Sequence, residues 1–414
     1  MQLTDIDLTS TEQWGCGIPH AQFARLRSEA PVFRHQATEE QMPEFFWCLT
    51  RHEDVQLANR DVDTFSSSRG GVLLDALQSV EERESFRTII DTDEPEHTRL
   101  RRLVNRGFTP RAIARFESRY RVAVRRVLDR ALQLSTFDFV REVATPLPAF
   151  AIAELLGVPE ADRGQITEWT NLISGRSDPD FGDGPDAPLI AATELYTYAT
   201  RLAEERRADP QDDIVTTLVG EVDDDALGTH EFEMFVLALA VAGNETTRTA
   251  ISQGMLALLE HSEEMARLRA NPEALLLTAV DEILRWTTPV MYFRRTASRD
   301  VELHGTRIRE NDPVVLFYIS ANYDDSAFAE PHRFDVGRVP NPHVTFGGGG
   351  PHFCLGAHLA RLEIRVLLEE LLATASVIEL VGLPERLRSS WMNGLKHLPV
   401  AFTPAAPVGE PVRR

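Results

Sequence analysis

Apolar positions change their spacing along this chain and divide it into a strand-rich start, a long helical middle and a mixed end. Between Pro31 and Phe65, short apolar runs such as Phe46-Trp47-Cys48-Leu49 alternate with polar breaks, so residues 31–65 read as a mainly β region. From about Pro95 to Trp286 the apolar residues recur as on helices with one buried face, and 95–286 is predicted to be mainly helical. Strand character returns over 289–318, where Val301-Glu302-Leu303 and Val314-Val315-Leu316-Phe317-Tyr318 lie on either side of a turn at Gly305. A further helix is predicted over 356–373, followed by short strands and turns to Phe402 and a frayed tail over 403–414. No repeat of solenoid length and no Pro/Ser-rich linker interrupts the chain. Residues 1–414 therefore read as one large domain, mainly α with small β-sheets, of the α+β class.

The formal net charge of -21 argues against nucleic acid or an anionic membrane as a partner. Three cysteines, Cys16, Cys48 and Cys354, are too few and too scattered for a disulfide framework, which suits a reducing cytosol. The start, Met1-Gln2-Leu3-Thr4, has neither a basic region nor an apolar run, and no stretch approaches a membrane span. A soluble, cytoplasmic protein is expected. The loop-like segment from Asp178 to Pro185 is either a lid or a plain solvated surface loop.

Candidate chemistry concentrates at Cys354, in Phe346-Gly347-Gly348-Gly349-Gly350-Pro351-His352-Phe353-Cys354-Leu355-Gly356. A glycine run lets backbone approach a flat, bulky group. Gly356 then opens a helix whose N-terminal amides favour a thiolate over a thiol. A soft anionic sulfur in such a loop suits heme iron, and thiolate ligation favours cleavage of the oxygen-oxygen bond. The competing reading is an ordinary buried cysteine after a turn. Phosphate-loop and dinucleotide fingerprints do not match, because the first wants Gly-Lys-Ser/Thr and the second a βαβ context.

A second cluster lies in the apolar stretch Phe232 to Glu260, where Ala242-Gly243-Asn244-Glu245-Thr246-Thr247 interrupts good helix formers. Glycine costs about 1 kcal/mol relative to Ala inside a helix, so a compensation is expected there. Small Ala242 and Gly243 would let the helix pass close to a planar cofactor. Glu282 and Arg285, at i and i+3, share a helix face, as do His97 and Arg101 at i and i+4.

The cysteine segment resembles the heme-binding loop of the cytochrome P450 family, and the likeness extends over nearly the whole chain. It departs in one respect: the loop is a residue longer than the common form, with Gly350 or Pro351 extra. The resemblance implies the triangular-prism P450 fold, with heme b (iron protoporphyrin IX) between a long central helix and the cysteine-loop helix, and O2 as co-substrate. It implies Cys354 as the iron ligand, with Phe346, Gly356, Ala242 and Gly243 beside the cofactor. Thr246 would hold the hydrogen-bond network of oxygen and Glu245 would relay protons. His97, Arg101, Arg295 and His352 would take the heme propionates. Glu282, Arg285 and Arg338 would be structural, locking the segment that leads to the cysteine.

No flavin or nicotinamide domain is seen, so the resemblance implies electrons from separate chains, a ferredoxin and its reductase. Arg99, Arg101, Arg102, Arg106, Arg111 and Arg115 form a basic cluster; with Arg101 turned to heme, Arg99, Arg102 and Arg106, joined by Arg361 and Arg365, would face that acidic ferredoxin, or a flavodoxin in its place, or else form an ordinary solvated face. Candidate substrate contacts are Val72 and Leu73, then Phe235 and Leu239, then Val290 and Tyr292, then Trp391 and Met392. They are mainly apolar, as a water-excluding pocket requires, though each could equally serve packing. The expected function is hydroxylation of an apolar small molecule, with a terpenoid, steroid or branched lipid favoured. Alternatives are peroxide-driven oxidation on the same fold, or a heme-binding sensor or carrier.

Overall fold

The computed structural model describes residues 2–37, 42–74, 87–108, 110–174, 186–211, 213–219 and 227–405, with the side chains at 106, 110–112, 115 and 174 left out. The loop at 178–185 and most of the tail lie outside the described residues. The helices that surround the site are α1 (Glu96–Val104), α2 (Pro110–Ala131), α3 (Pro146–Leu155), α4 (Arg163–Ser174), α5 (Ala187–Ala208), α6 (Thr229–Glu260), α7 (Pro272–Thr287) and α8 (Ala357–Thr374).

Helix α6 is the axis of the helical part and touches α3, α4, α5, α7 and α8. Its sequence is apolar around much of its circumference, which is the pattern of a helix enclosed on all sides. It starts three residues before the apolar run, because Glu231 Oε2 accepts from the Gly228 amide at 2.8 Å and so ties down the helix entry.

The two β regions of the sequence join in one sheet. Strands β1 (Val32–Gln36), β2 (Phe45–Leu49), β3 (Phe65–Ser66), β4 (Tyr292–Ala297) and β5 (Pro313–Phe317) run in the order β1-β2-β5-β4-β3. β2 pairs with β5 in parallel, with Cys48 opposite Val315, and the other pairings are antiparallel. Within 31–65 the chain also forms the helix His52–Arg60, which lies beneath the cysteine loop. A hairpin of Val301–Leu303 with Thr306–Ile308 turns at Gly305, whose φ is 76°. Phe137–Asp138, Ala375–Leu380 and Pro399–Pro404 form a separate three-stranded sheet. Among the described residues, no helix is long and apolar enough to cross a membrane.

The approach to the cysteine loop is held by a fully buried ion cluster. Arg285 donates through Nε and Nη2 to the two carboxylate oxygens of Glu282, both at 2.8 Å, in the bidentate geometry that suits a guanidinium. Arg338 Nε reaches Glu282 Oε2 at 3.0 Å, and Arg285 Nη1 donates to the carbonyls of Asn322 at 2.8 Å and Pro331 at 2.9 Å. Segment 322–338 is thereby tied to α7. Thr345 continues the tie by donating to the Leu284 carbonyl at 2.9 Å, one residue before Phe346.

Candidate active site

A cavity of about 1310 Å3 opens between α6, α1, β4 and the cysteine loop. Cys354 lines this cavity and is exposed to its open space. Burial pushes the thiol above its ordinary value. The Gly356 amide and the charges of Arg101 and Arg361 pull the other way without overcoming it. The Gly356 amide thus acts in the expected direction, favouring the thiolate, while burial opposes it.

The loop before Cys354 folds tightly. Gly347, Gly348, Gly349 and Gly350 all take positive φ, at 96°, 63°, 108° and 84°, and the Cys354 amide closes back on the Phe346 carbonyl at 3.0 Å. A Cβ on Gly350 would stand 2.2 Å from the Asn59 carbonyl oxygen, so the longer loop lies directly on the helix His52–Arg60. Arg60 Nη2 donates to the Gly348 carbonyl at 3.3 Å.

His97, Arg101, Arg295 and His352 all border the same cavity. His97 and His352 approach with ring centroids 4.1 Å apart, and Ser67 Oγ lies 3.2 Å from His352 Nε2. Ser67 is itself anchored, its amide donating to Asp93 Oδ1 at 2.8 Å. Nothing in the spacing of the sequence singles Ser67 out. Arg295 is 1% exposed and its Nε has no hydrogen-bond partner; His97 Nδ1 has none either, with Glu94 Oε1 3.8 Å away. Burial, Arg295 and His97 push His352 down to about 3. Orphaned donors and a buried guanidinium on a cavity wall are costly unless an anion joins them. The donor set thus fits the two carboxylates of a heme.

On α6, Thr246 Oγ1 donates to the Ala242 carbonyl at 2.6 Å, so its proton is committed to the helix and its lone pairs remain to accept. Glu245 is buried against Arg248 of the next turn, and burial raises its carboxyl while Arg248 opposes. Two bonds tie this turn to α4: Arg248 Nη1 to Asn171 Oδ1 at 2.8 Å and Asn244 Nδ2 to Thr170 Oγ1 at 2.7 Å. Gly243 borders the cavity, yet its missing side chain is required by α3, since a Cβ would stand 2.2 Å from Ile152 Cδ1. Packing against α3 thus gives a further reason for a glycine at this position.

Val72, Leu73, Phe235, Leu239, Val290, Trp391 and Met392 line the cavity as expected. Tyr292 does not; it is buried in the core beside Phe317, and Phe293 lines the cavity instead. Side chains alternate along a strand, so Phe293 and Arg295 share the cavity face of β4 and Tyr292 cannot. Ile152, Ile173, Leu189 and Ala192, from α3, α4 and α5, complete the apolar wall and were missed. No local motif marks them.

Three arginines of the expected basic face are paired within the chain. Arg99 pairs with Glu231, Arg361 Nε with Asp281 at 2.7 Å, and Arg365 with Glu117 at 2.6 Å and Glu369 at 2.7 Å. These three arginines are committed to intramolecular pairs. The side chains of Arg106, Arg111 and Arg115 lie outside the described residues.

A family model for cytochrome P450 matches residues 191–395. A steroid C26-monooxygenase of Mycobacterium tuberculosis is 41% identical over 412 residues, covering 97% of this chain and 94% of that protein. The chain belongs to the cytochrome P450 family. A methyl-branched lipid omega-hydroxylase of the same organism is 42% identical over 412 residues, covering 97% of this chain and 95% of its own. Among solved structures, a Mycobacterium marinum cytochrome P450, CYP268A2, in complex with pseudoionone, superposes with a TM-score of 0.91 at 37% identity, covering 96% of this chain and 98% of that one. The mainly helical architecture with small sheets is the P450 fold. The protein is a P450 monooxygenase, and the family implies heme iron and the use of O2.

Proposed function

We propose that Cys354 supplies the sulfur ligand to the iron of heme b, and that the enzyme hydroxylates a branched or polycyclic apolar molecule. The observation that carries this reading is the convergence of Cys354, four imidazole or guanidinium side chains, and the Ala242 to Thr246 turn of α6 on one cavity. His97, Arg101, Arg295 and His352 hold the propionates, since all four border the cavity and offer cationic or hydrogen-bonding groups to a carboxylate. Phe346 and Gly356 hold the backbone on either side of Cys354. Heme iron, when bound, supplies the activation of O2. Thr246 accepts a hydrogen bond at the distal wall, and Glu245 moves protons toward it.

The overall change is R-H plus O2, two electrons and two protons to R-OH plus water. The electrons come from a ferredoxin and its reductase as separate chains. Two relatives named for C26 of steroids and for the omega position of methyl-branched lipids support attack at the end of a branched aliphatic tail. The apolar wall from Val72 to Met392 supports the same class, because it offers contact area and few polar groups.

The test is turnover under 18O2 with ferredoxin, ferredoxin reductase and NADPH, against steroids and methyl-branched fatty acids. One labelled oxygen in a hydroxylated product is expected. Hydroxylation without label would reject the monooxygenase chemistry, and absence of product across both panels would reject the substrate class.

A further inference from the structure

Phe346, whose carbonyl receives the Cys354 amide at 3.0 Å, carries a cation on its ring face. The Arg361 guanidinium lies 4.6 Å from the ring centroid, and the His343 ring lies 5.8 Å away at 55°. Both side chains are drawn to one carboxylate oxygen: Asp281 Oδ1 accepts from Arg361 Nε at 2.7 Å and lies 3.4 Å from His343 Nε2. Arg361 Nη2 and His343 Nε2 are themselves 3.5 Å apart.

These residues come from three different segments. Asp281 is on α7 beside the buried Glu282, His343 precedes the loop, and Arg361 is on α8, seven positions after Cys354. The carboxylate therefore sits next to the buried Glu282-Arg285-Arg338 cluster. A guanidinium is planar and stacks on an aromatic face, whereas an ammonium does not, so the arrangement is specific to arginine at 361.

The geometry points to Arg361 as a positioning residue that Asp281 pins over Phe346, the residue whose carbonyl holds the Cys354 amide, so that its guanidinium helps set the reduction potential of the bound iron. This rests on the assignment of Cys354 as the iron ligand. A cation held there stabilises the more negative, reduced state of the centre. Its removal should shift the midpoint potential to more negative values while the sulfur stays bound. An ordinary surface ion pair predicts no such change, since exposed pairs act mainly on stability and only weakly.

The experiment is potentiometric titration of the substrate-free holoenzyme and of three variants, with the reduced carbon monoxide spectrum recorded for each. Arg361→Gln is expected to shift the midpoint negative. Arg361→Lys is expected to shift it in the same direction by less, because the charge persists without the planar stack. Arg365→Gln, one turn further on and paired with Glu117 and Glu369 away from the ring, should leave it unchanged. A wild-type potential in Arg361→Gln, or in Arg361→Lys if the glutamine variant does not retain heme, overturns the inference. An equal shift in Arg365→Gln also overturns it. If the wild-type spectrum itself lacks thiolate ligation, the assignment of Cys354 has failed instead.

Discussion

Glu245 and Arg248 form a buried ion pair one turn apart on α6, and the same guanidinium donates to Asn171 of α4 at 2.8 Å. The carboxylate assigned to proton transfer is thus held by a cation that also ties down a wall of the cavity. Arg248 opposes the effect of burial on Glu245. Arg248→Gln should raise the Glu245 carboxyl further, moving the corresponding limb of the pH-turnover profile to higher pH. Turnover should fall roughly tenfold, part of the ~10²–10⁴ that a positioned acid-base group supplies. The check is a pH profile of product formed per electron consumed; an unshifted limb would count against the role of Glu245.

Glu282 and Arg285 are both wholly buried, and Arg338 shares their charge. Arg285→Ala leaves the Glu282 carboxylate with Arg338 alone and strips the carbonyls of Asn322 and Pro331 of their donor. A loss of about 3–5 kcal/mol is expected, as for other buried pairs broken on one side. Urea unfolding and heme retention after gel filtration measure it. Unchanged stability would mean that this cluster does not hold the cysteine segment.

Gly350 offers a sharper test of the loop. Its φ of 84° and the 2.2 Å that would separate any Cβ there from the Asn59 carbonyl oxygen both oppose a side chain. Gly350→Ala should cost more than the ~1 kcal/mol of a strained glycine position alone, because backbone must move as well. Gly164→Ala on α4, outside the cavity lining, without positive φ and with nothing within 4 Å, is the control and should not destabilise. Thermal melts of the two holoenzymes separate these outcomes.

Much of the site was legible because its signals are local. The glycine run, Cys354 and the helix after it lie within a few residues, as do Glu282 with Arg285 and His97 with Arg101. What escaped depends on contacts distant in sequence. Gly243 also meets Ile152 of α3, and the pairing of Arg361 with Asp281 joins helices 80 residues apart. The union of β2 with β5 in parallel is likewise invisible to periodicity, which reads each strand alone. Tyr292 is different, since strand alternation with Arg295 already placed the two on opposite faces.

His20 carries the pH dependence of folding that is easiest to isolate. Burial, His332 and nearby arginines push it from 6.5 down to about 3. The unfolded chain therefore binds a proton that the native state refuses across that window. The contribution is fully present above pH 6.5 and is lost as pH falls toward about 3. His20→Gln should flatten this part of the acid limb. Melts at about pH 7 and about pH 4.5 are expected to differ less in the variant than in wild type; equal differences would contradict the assignment.

The central claim is that Cys354 binds heme iron as a thiolate. It is tested most directly by the carbon monoxide spectrum of the reduced, purified holoenzyme, recorded beside Cys354→Ala reconstituted with heme. A strongly red-shifted Soret band is expected in wild type, with its complete absence in the variant. A wild-type spectrum without that band, or a Cys354→Ala spectrum that keeps it, would contradict the claim.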